Sequence, residues 1–259
     1  MGYRNRYPIV LVHGIALKER AFCKVDRVLE REGYLVRPAK FDAFATVENS
    51  AAQLKDYILG LLRETGAEKV SIIAHSKGGL DAKYMLKELD MEPRVASLTT
   101  LCTPHRGSGL ATHILQWPQG RLRFLNACIN FFYRLWGDRK PESLAVCRQL
   151  QLTEKPYFET EGEPFSGSVY CQSYSAVTDE ARENYVKDAF LDRFRKYEDG
   201  PSDCVVSVES SKFGIYRGDC LPDSLSHNEV LTRSTTKAKK EKMYAFYAAL
   251  CEELCERGF

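Results

Sequence analysis

A serine hydroxyl attacks an ester carbonyl only when a base accepts its proton and an acid orients that base. Ser76 lies in Ala74-His75-Ser76-Lys77-Gly78, after the apolar run Val70-Ser71-Ile72-Ile73 and before the helix-forming run Gly79-Leu80-Asp81-Ala82-Lys83-Tyr84. Strand, sharp turn and helix in that order lift a serine side chain above a sheet, where a base and a substrate reach it. The turn is tight, so its neighbours must be small. Gly78 and Gly79 supply one flank, and Ala74 stands where the usual pattern has its first glycine.

A serine set in this way requires an acid and then a histidine later in the chain, with two backbone donors for the oxyanion. Of the five histidines, His13, His75, His105 and His113 come too early in the chain or sit inside motifs that give them supporting roles. His227 lies late, in the polar stretch Asp223-Ser224-Leu225-Ser226-His227-Asn228-Glu229, which reads as a loop. The acid is expected at Asp203, where turn residues precede and an apolar run follows; Asp199, Asp219 and Asp223 are its rivals. The expected oxyanion donors are the N–H groups of Lys77, directly after the serine, and of Ile15 in Val12-His13-Gly14-Ile15. Each such donor contributes about 3 kcal/mol to the barrier reduction. Because the donors are main-chain groups, their side chains are expected to matter little. His13 is expected to hold the oxyanion loop, His75 to support packing or the backbone, and His105 with Arg106 to brace a turn at Gly107.

The elements that must position these residues are readable from periodicity. Pro8-Ile9-Val10-Leu11-Val12 is a continuous apolar run ending at His13-Gly14, as in a central strand buried on both faces. Phe22, Val25, Val28 and Leu29 mark a helix, and Tyr34-Leu35-Val36 a short strand. Apolar residues at three- and four-residue steps predict a helix over 48–65, ended by Gly66. A helix near 79–89, a strand near 95–101, strand candidates at Val169–Tyr174 and Val205–Val208, and a final amphipathic helix around Met243–Leu254 complete the pattern. Strands alternating with helices imply an α/β fold with a mostly parallel central sheet flanked by helices. The alternation fails over 108–164, which holds Trp117, Trp136 and many apolar residues broken by Pro118, Gly120, Gly137 and Pro141. This segment is expected to be an inserted helical cap or lid, with 1–107 and 165–259 forming the core. Its apolar side chains are either plain core or a surface that meets an acyl chain.

The 259 residues fit one domain with such an insert, and 44% hydrophobic and 28% charged residues are ordinary for a globular chain. A net charge of +2 argues against nucleic acid as a partner. The local run Arg233, Lys237, Lys239, Lys240 and Lys242 reads as a solvated linker or helix start. Nine cysteines, Cys23, Cys102, Cys128, Cys147, Cys171, Cys204, Cys220, Cys251 and Cys255, are scattered without a CxxC pair, as expected of reduced thiols. With no apolar run long enough to span a membrane and no leader core, a cytoplasmic location is expected, secretion after removal of a leader being the alternative. There is no HExxH and no ligand cluster for a metalloenzyme.

Tyr7-Pro8-Ile9-Val10-Leu11-Val12-His13-Gly14, Ala74-His75-Ser76-Lys77-Gly78-Gly79 and Thr103-Pro104-His105-Arg106-Gly107-Ser108 occur in that order, followed by 203–214 and Ser226-His227-Asn228-Glu229-Val230. Together they resemble the bacterial triacylglycerol lipases of the α/β-hydrolase superfamily, the Pseudomonas- and Burkholderia-type group. The resemblance implies Ser76 as nucleophile, Asp203 as triad acid, His227 as base, Ile15 and Lys77 as oxyanion positions, and 108–164 as the lid region. The large secreted members carry a structural calcium beside the histidine loop, held by two aspartates. Here His227-Asn228-Glu229 lacks the expected Asp, so Glu229 or Asp219 with Asp179 would have to serve; no other cofactor is expected. The expected function is a lipase- or esterase-like serine carboxylic ester hydrolase acting through an acyl-enzyme on lipid or other acyl esters, in transient contact with lipid surfaces. Acyl transfer by the same triad and a non-catalytic hydrolase-fold binding protein are the rival readings.

Overall fold

The computed structural model describes residues 2–22, 24–153, 165, 167–183, 185, 189 and 191–259. Cys23 and positions 154–164 of the expected insert therefore lie outside the described residues. Along the chain come β1 (Ile9–Val12), α1 (Val25–Arg31), β2 (Val36–Pro38), α2 (Val47–Thr65), β3 (Val70–His75), α3 (Lys77–Glu88) and β4 (Val95–Leu101). They are followed by α4 (Gly109–Leu115), α5 (Gln119–Leu135), α6 (Ser143–Gln149), β5 (Tyr170–Ser175), α7 (Val208–Ser211), β6 (Ile215–Asp219) and α8 (Lys237–Glu256). The described strands form one parallel sheet in the order β2-β1-β3-β4-β5-β6.

The sheet is covered on both faces, which explains its continuous apolar strands. Successive side chains of a strand point to opposite faces. Ile9 and Leu11 of β1 pack with Val25 and Leu29 of α1 and Met243, Tyr247 and Leu250 of α8. Val10 and Val12 pack with Ala51, Leu54 and Ile58 of α2 and with Ala82 and Met85 of α3. Thr46 caps α2 by accepting the Asn49 N–H, and Gly66 ends it in the left-handed conformation at φ 71°. Among the described residues no helix is long and apolar enough to cross a membrane. The eight described cysteines are free thiols. Burial pushes Cys147 and Cys204 up to about 11, which keeps both protonated at neutral pH.

Two expectations need correction. Val205–Val208 is not a strand. Asp203 Oδ1 accepts the N–H groups of Val205 at 2.9 Å and Val206 at 2.8 Å, which folds the segment into a turn. Ser207 then caps α7 by accepting the Ser210 N–H at 3.2 Å. The strand that pairs with β5 is β6, at Ile215–Asp219. The basic run, most of which forms the first turns of α8, is not wholly solvated either: Lys239 is fully buried.

Candidate active site

Ser76 joins β3 to α3 at φ 56° and ψ −135°, a conformation costing about 1–3 kcal/mol that only surrounding contacts maintain. Its N–H donates to the Leu101 carbonyl of β4 at 2.9 Å, and its carbonyl accepts the Thr103 hydroxyl at 2.9 Å. Close approach explains the small neighbours. A Cβ on Gly79 would lie 2.2 Å from Thr103 Oγ1, and one on Gly14 would lie 2.7 Å from Ser76 Cβ. The loop after β1 thus sits directly against the serine.

Asp203, in the loop after β5, and His227, in the loop after β6, come together. His227 Nδ1–H donates to Asp203 Oδ2 at 2.6 Å, and the His227 N–H donates to the Asp203 carbonyl at 3.0 Å. With Oδ1 held by two backbone N–H groups, the Asp203 carboxylate is buried but fully engaged. The His227 ring packs 4.5 Å, centroid to centroid, from that of His75, the chain neighbour of Ser76. His75 Nε2–H donates to the His227 carbonyl at 3.1 Å, and burial holds His75 neutral, well below the usual imidazole range. Ser76, Asp203 and His227 are therefore gathered at the carboxyl ends of β3, β5 and β6, where open parallel sheets bind ligands.

Of the two expected oxyanion donors, Lys77 is the first residue of α3, and first-turn N–H groups have no intrahelical acceptor. The Ile15 N–H has no acceptor among the described residues. Beside it, His13 Nδ1–H donates to the Gly14 carbonyl at 3.0 Å and the His13 ring stacks on Phe41 at 4.0 Å. His105 shares a 3.1 Å hydrogen bond with Thr100 Oγ1 and stacks on Phe213, while Arg106 pairs with Glu209, so this turn is braced as expected. Two of the three rivals of Asp203 are engaged elsewhere, Asp219 with Arg182 at 2.8 Å and Asp223 with Lys242 at 2.9 Å, and it is Asp203, not Asp199, whose carboxylate meets His227.

The Lys77 side chain matters more than its main-chain role suggests. It is buried beneath the elbow, pairs with buried Asp81 at 2.7 Å and donates to Ser50 Oγ of α2 at 2.9 Å. A second buried pair escaped sequence reasoning. Glu229 Oε1 accepts from Lys239 Nζ at 2.9 Å and from the Thr235 hydroxyl at 2.7 Å, and Oε2 accepts the Ser226 N–H at 2.9 Å. Glu229 thereby grips the residue immediately before His227. The signal was present: Lys239 stands four residues before Met243 and eight before Tyr247, inside the buried stripe of α8.

These partners do not fit a calcium site. Glu229 already faces an ammonium group, Asp219 pairs with Arg182, and Asp179 Oδ1 accepts the Ala181 N–H at 2.9 Å. Among the described residues no group of three or more His, Cys, Asp and Glu is arranged to hold a metal ion.

The buried imidazoles set an acid limit on stability. Burial lowers His13 from 6.5 to about 4 and holds His75 and His105 well below the usual range. The unfolded chain therefore binds more protons between about pH 4 and 6.5, and stability falls as the pH drops through that window. His13 alone contributes on the order of 3 kcal/mol there. Asp81, raised by burial to about 7, acts in the opposite sense, one carboxyl against three imidazoles. The urea midpoint is expected to fall steadily from pH 6.5 to 4.5; a flat or rising midpoint would contradict this reading.

Residues 9–156, more than half of the chain, match the family model described as "Putative serine esterase (DUF676)". The chain is 27% identical to triacylglycerol lipase 2 of Saccharomyces cerevisiae over 255 residues, which covers 91% of this chain and 73% of that protein. It is 37% identical over 120 residues to triacylglycerol lipases of Pseudarthrobacter phenanthrenivorans and Burkholderia plantarii, covering 42% of this chain and 37% and 33% of theirs. The match thus spans about a third of the length of these bacterial relatives. Among solved structures, a metagenomic carboxyl esterase is similar with a TM-score of 0.73 at 20% identity, covering 99% of this chain and 78% of that one. The Staphylococcus hyicus lipase is similar with a TM-score of 0.68 at 16% identity, covering 98% and 97%. The fold is accordingly that of the α/β-hydrolase lipases and esterases.

Proposed function

The chain belongs to the DUF676 serine esterase family and is a carboxylic ester hydrolase of the α/β-hydrolase superfamily, and from that premise we propose that Ser76, His227 and Asp203 are its catalytic triad, acting on acyl esters of lipids. The observation that carries the reading is the 2.6 Å bond from His227 Nδ1–H to Asp203 Oδ2, made by a ring that packs on His75, the chain neighbour of Ser76. That bond fixes the tautomer and leaves Nε2 unprotonated to act as base. Ser76 Oγ attacks the ester carbonyl carbon and passes its proton to His227 Nε2. The carbonyl π electrons move onto oxygen, where the Ile15 and Lys77 N–H groups receive the charge. Collapse of the tetrahedral intermediate expels the alcohol, which takes the proton back from His227. Water, deprotonated by His227, then attacks the acyl-enzyme, releasing the carboxylic acid and restoring Ser76.

Hydrolysis of p-nitrophenyl esters from short to long acyl chains tests the substrate class. Activity that rises with chain length, with free acid as product, is expected. Activity confined to short chains would make the protein an esterase of small molecules. An acceptor-dependent product in place of acid would favour acyl transfer.

The Glu229–Lys239 pair should hold the base in register. Glu229→Gln keeps the shape of the side chain but removes the charge facing Lys239. A catalytic group displaced by about 1 Å costs up to about a hundredfold. For this variant kcat on a soluble ester is expected to fall at least about tenfold with KM little changed. A wild-type kcat in the folded variant would show that the loop is held without the pair.

A further inference from the structure

The insert carries an apolar face that none of the described residues covers. Of the eight large apolar side chains exposed among the described residues, five lie between Phe124 and Trp136. Phe124, Phe131, Phe132, Leu135 and Trp136 are 61–71% exposed. Phe124, Phe131 and Leu135 follow one another at seven and four residues and so line one stripe of α5, with Phe132 beside it. Arg123 and Arg134 are eleven residues apart, close to three turns, so they border the stripe on one side.

This face does not belong to a flap waiting to fold inward, because the opposite face of α5 is fastened at several points. Asn126 Oδ1 accepts from the Ser143 hydroxyl and the Leu144 N–H, both at 3.0 Å, and Asn130 Oδ1 accepts the Ser143 N–H at 2.9 Å. The Tyr133 hydroxyl donates to the Ala16 carbonyl at 3.0 Å. Lys18 Nζ donates to the Trp136 carbonyl at 2.8 Å and to buried Asp138 at 2.9 Å. Asp138 in turn accepts the N–H groups of Ala43 at 3.0 Å and Phe44 at 2.9 Å. Turning the aromatics inward would break all of these.

Charge selects the occupant. The sequence of α5 contains three arginines and no carboxylate. Arg123 and Arg134 are exposed, and neither pairs with a carboxylate among the described residues. A second copy would bring the same positive flank against this one, and a neutral partner would leave the arginines unmatched. An anionic bilayer meets both demands, taking the aromatics among its acyl chains and the arginines at its phosphates. We propose that α5 is a fixed docking helix that seats the protein on anionic lipid bilayers. The fastened face of α5 is tied to Ala16, and the Trp136 carbonyl to Lys18, next to the Ile15 donor, so docking holds the oxyanion loop about one helix diameter from the lipid. For the identity of the substrate this rests on the lipid-ester reading, but the docking itself is measured without turnover.

The test is co-sedimentation with vesicles of phosphatidylcholine alone and of phosphatidylcholine mixed with phosphatidylglycerol, at low and high salt. Each basic residue near an anionic surface strengthens binding about fivefold. The wild type is expected to bind the anionic vesicles at least about tenfold more tightly, with the excess lost in high salt. Arg123→Gln/Arg134→Gln should lose most of that preference, and Phe131→Ser/Leu135→Ser should lose most binding to both compositions. The altered side chains are exposed, so both variants should keep the wild-type thermal midpoint. Equal wild-type binding to both compositions, or unchanged binding by the Phe131/Leu135 variant, would overturn the proposal. So would a concentration-dependent dimer that the Phe131/Leu135 variant abolishes, which would assign the face to a second copy. If the catalytic reading fails, ester hydrolysis is absent while the vesicle result still decides the docking role.

Discussion

Replacing Ser76 by Ala lowers kcat on a soluble ester by at least about a thousandfold while the thermal midpoint and KM change little. The substitution removes one atom, the hydroxyl oxygen that forms the acyl bond. What holds the elbow in place is main-chain: the Ser76 N–H on Leu101, the Ser76 carbonyl under Thr103, and the glycines that let Thr103 and the β1 loop approach. Folding should therefore survive. The activity left in the variant would come from the oxyanion donors and from substrate binding, neither of which the substitution touches. Near-normal turnover in a folded Ser76→Ala protein would move the nucleophile elsewhere.

Lys77→Met is the most damaging single change expected for stability. It strands Asp81, which is completely buried and pairs with Lys77 at 2.7 Å. Even with Lys77 beside it, burial raises Asp81 from 3.8 to about 7. Without that cation the folded protein must keep Asp81 protonated. The unfolded chain gives up this proton above about pH 4. The penalty therefore grows with pH. Breaking a buried pair costs about 3–5 kcal/mol, and that full cost is expected near pH 8, with a smaller one near pH 5.5. Lys77→Met/Asp81→Leu should regain most of the loss, because neither charge is left unpaired. Urea unfolding of the three proteins at both pH values checks this. An equal loss at pH 5.5 and pH 8 would mean that the lost packing of the lysine stem, and not the stranded carboxyl, sets the cost.

What could be read from the residues was whatever a local pattern encodes. The elbow follows from an apolar run, a serine and two glycines within ten residues. The β1 loop follows from an apolar run ending in His13-Gly14. Asp203 and His227 followed from order along the chain and from the polar loops around them. What escaped depended on partners distant in sequence. Val205-Val206 carries the apolar signal of a strand, yet its N–H groups are taken by Asp203. The true edge strand, Ile215-Tyr216-Arg217-Gly218-Asp219, is partly exposed and mixes a glycine with charges, so it shows no alternation. The i,i+4 spacing of Lys77 and Asp81 was visible, but their burial depends on α2. Lys239 was concealed among exposed lysines, although it keeps the helical register of the buried stripe. The apolar wealth of the insert was plain, but which face of α5 lacks a cover among the described residues was legible only from its fastenings.

The central claim is that Ser76 is the nucleophile and that His227, oriented by Asp203, activates it. Labelling the folded protein with a fluorophosphonate and mapping the adduct by mass spectrometry tests it most directly. A single adduct on Ser76, formed much more slowly in Asp203→Asn and absent in His227→Ala, is the predicted result. An adduct on another residue, or none on a protein that still hydrolyses esters, would contradict it.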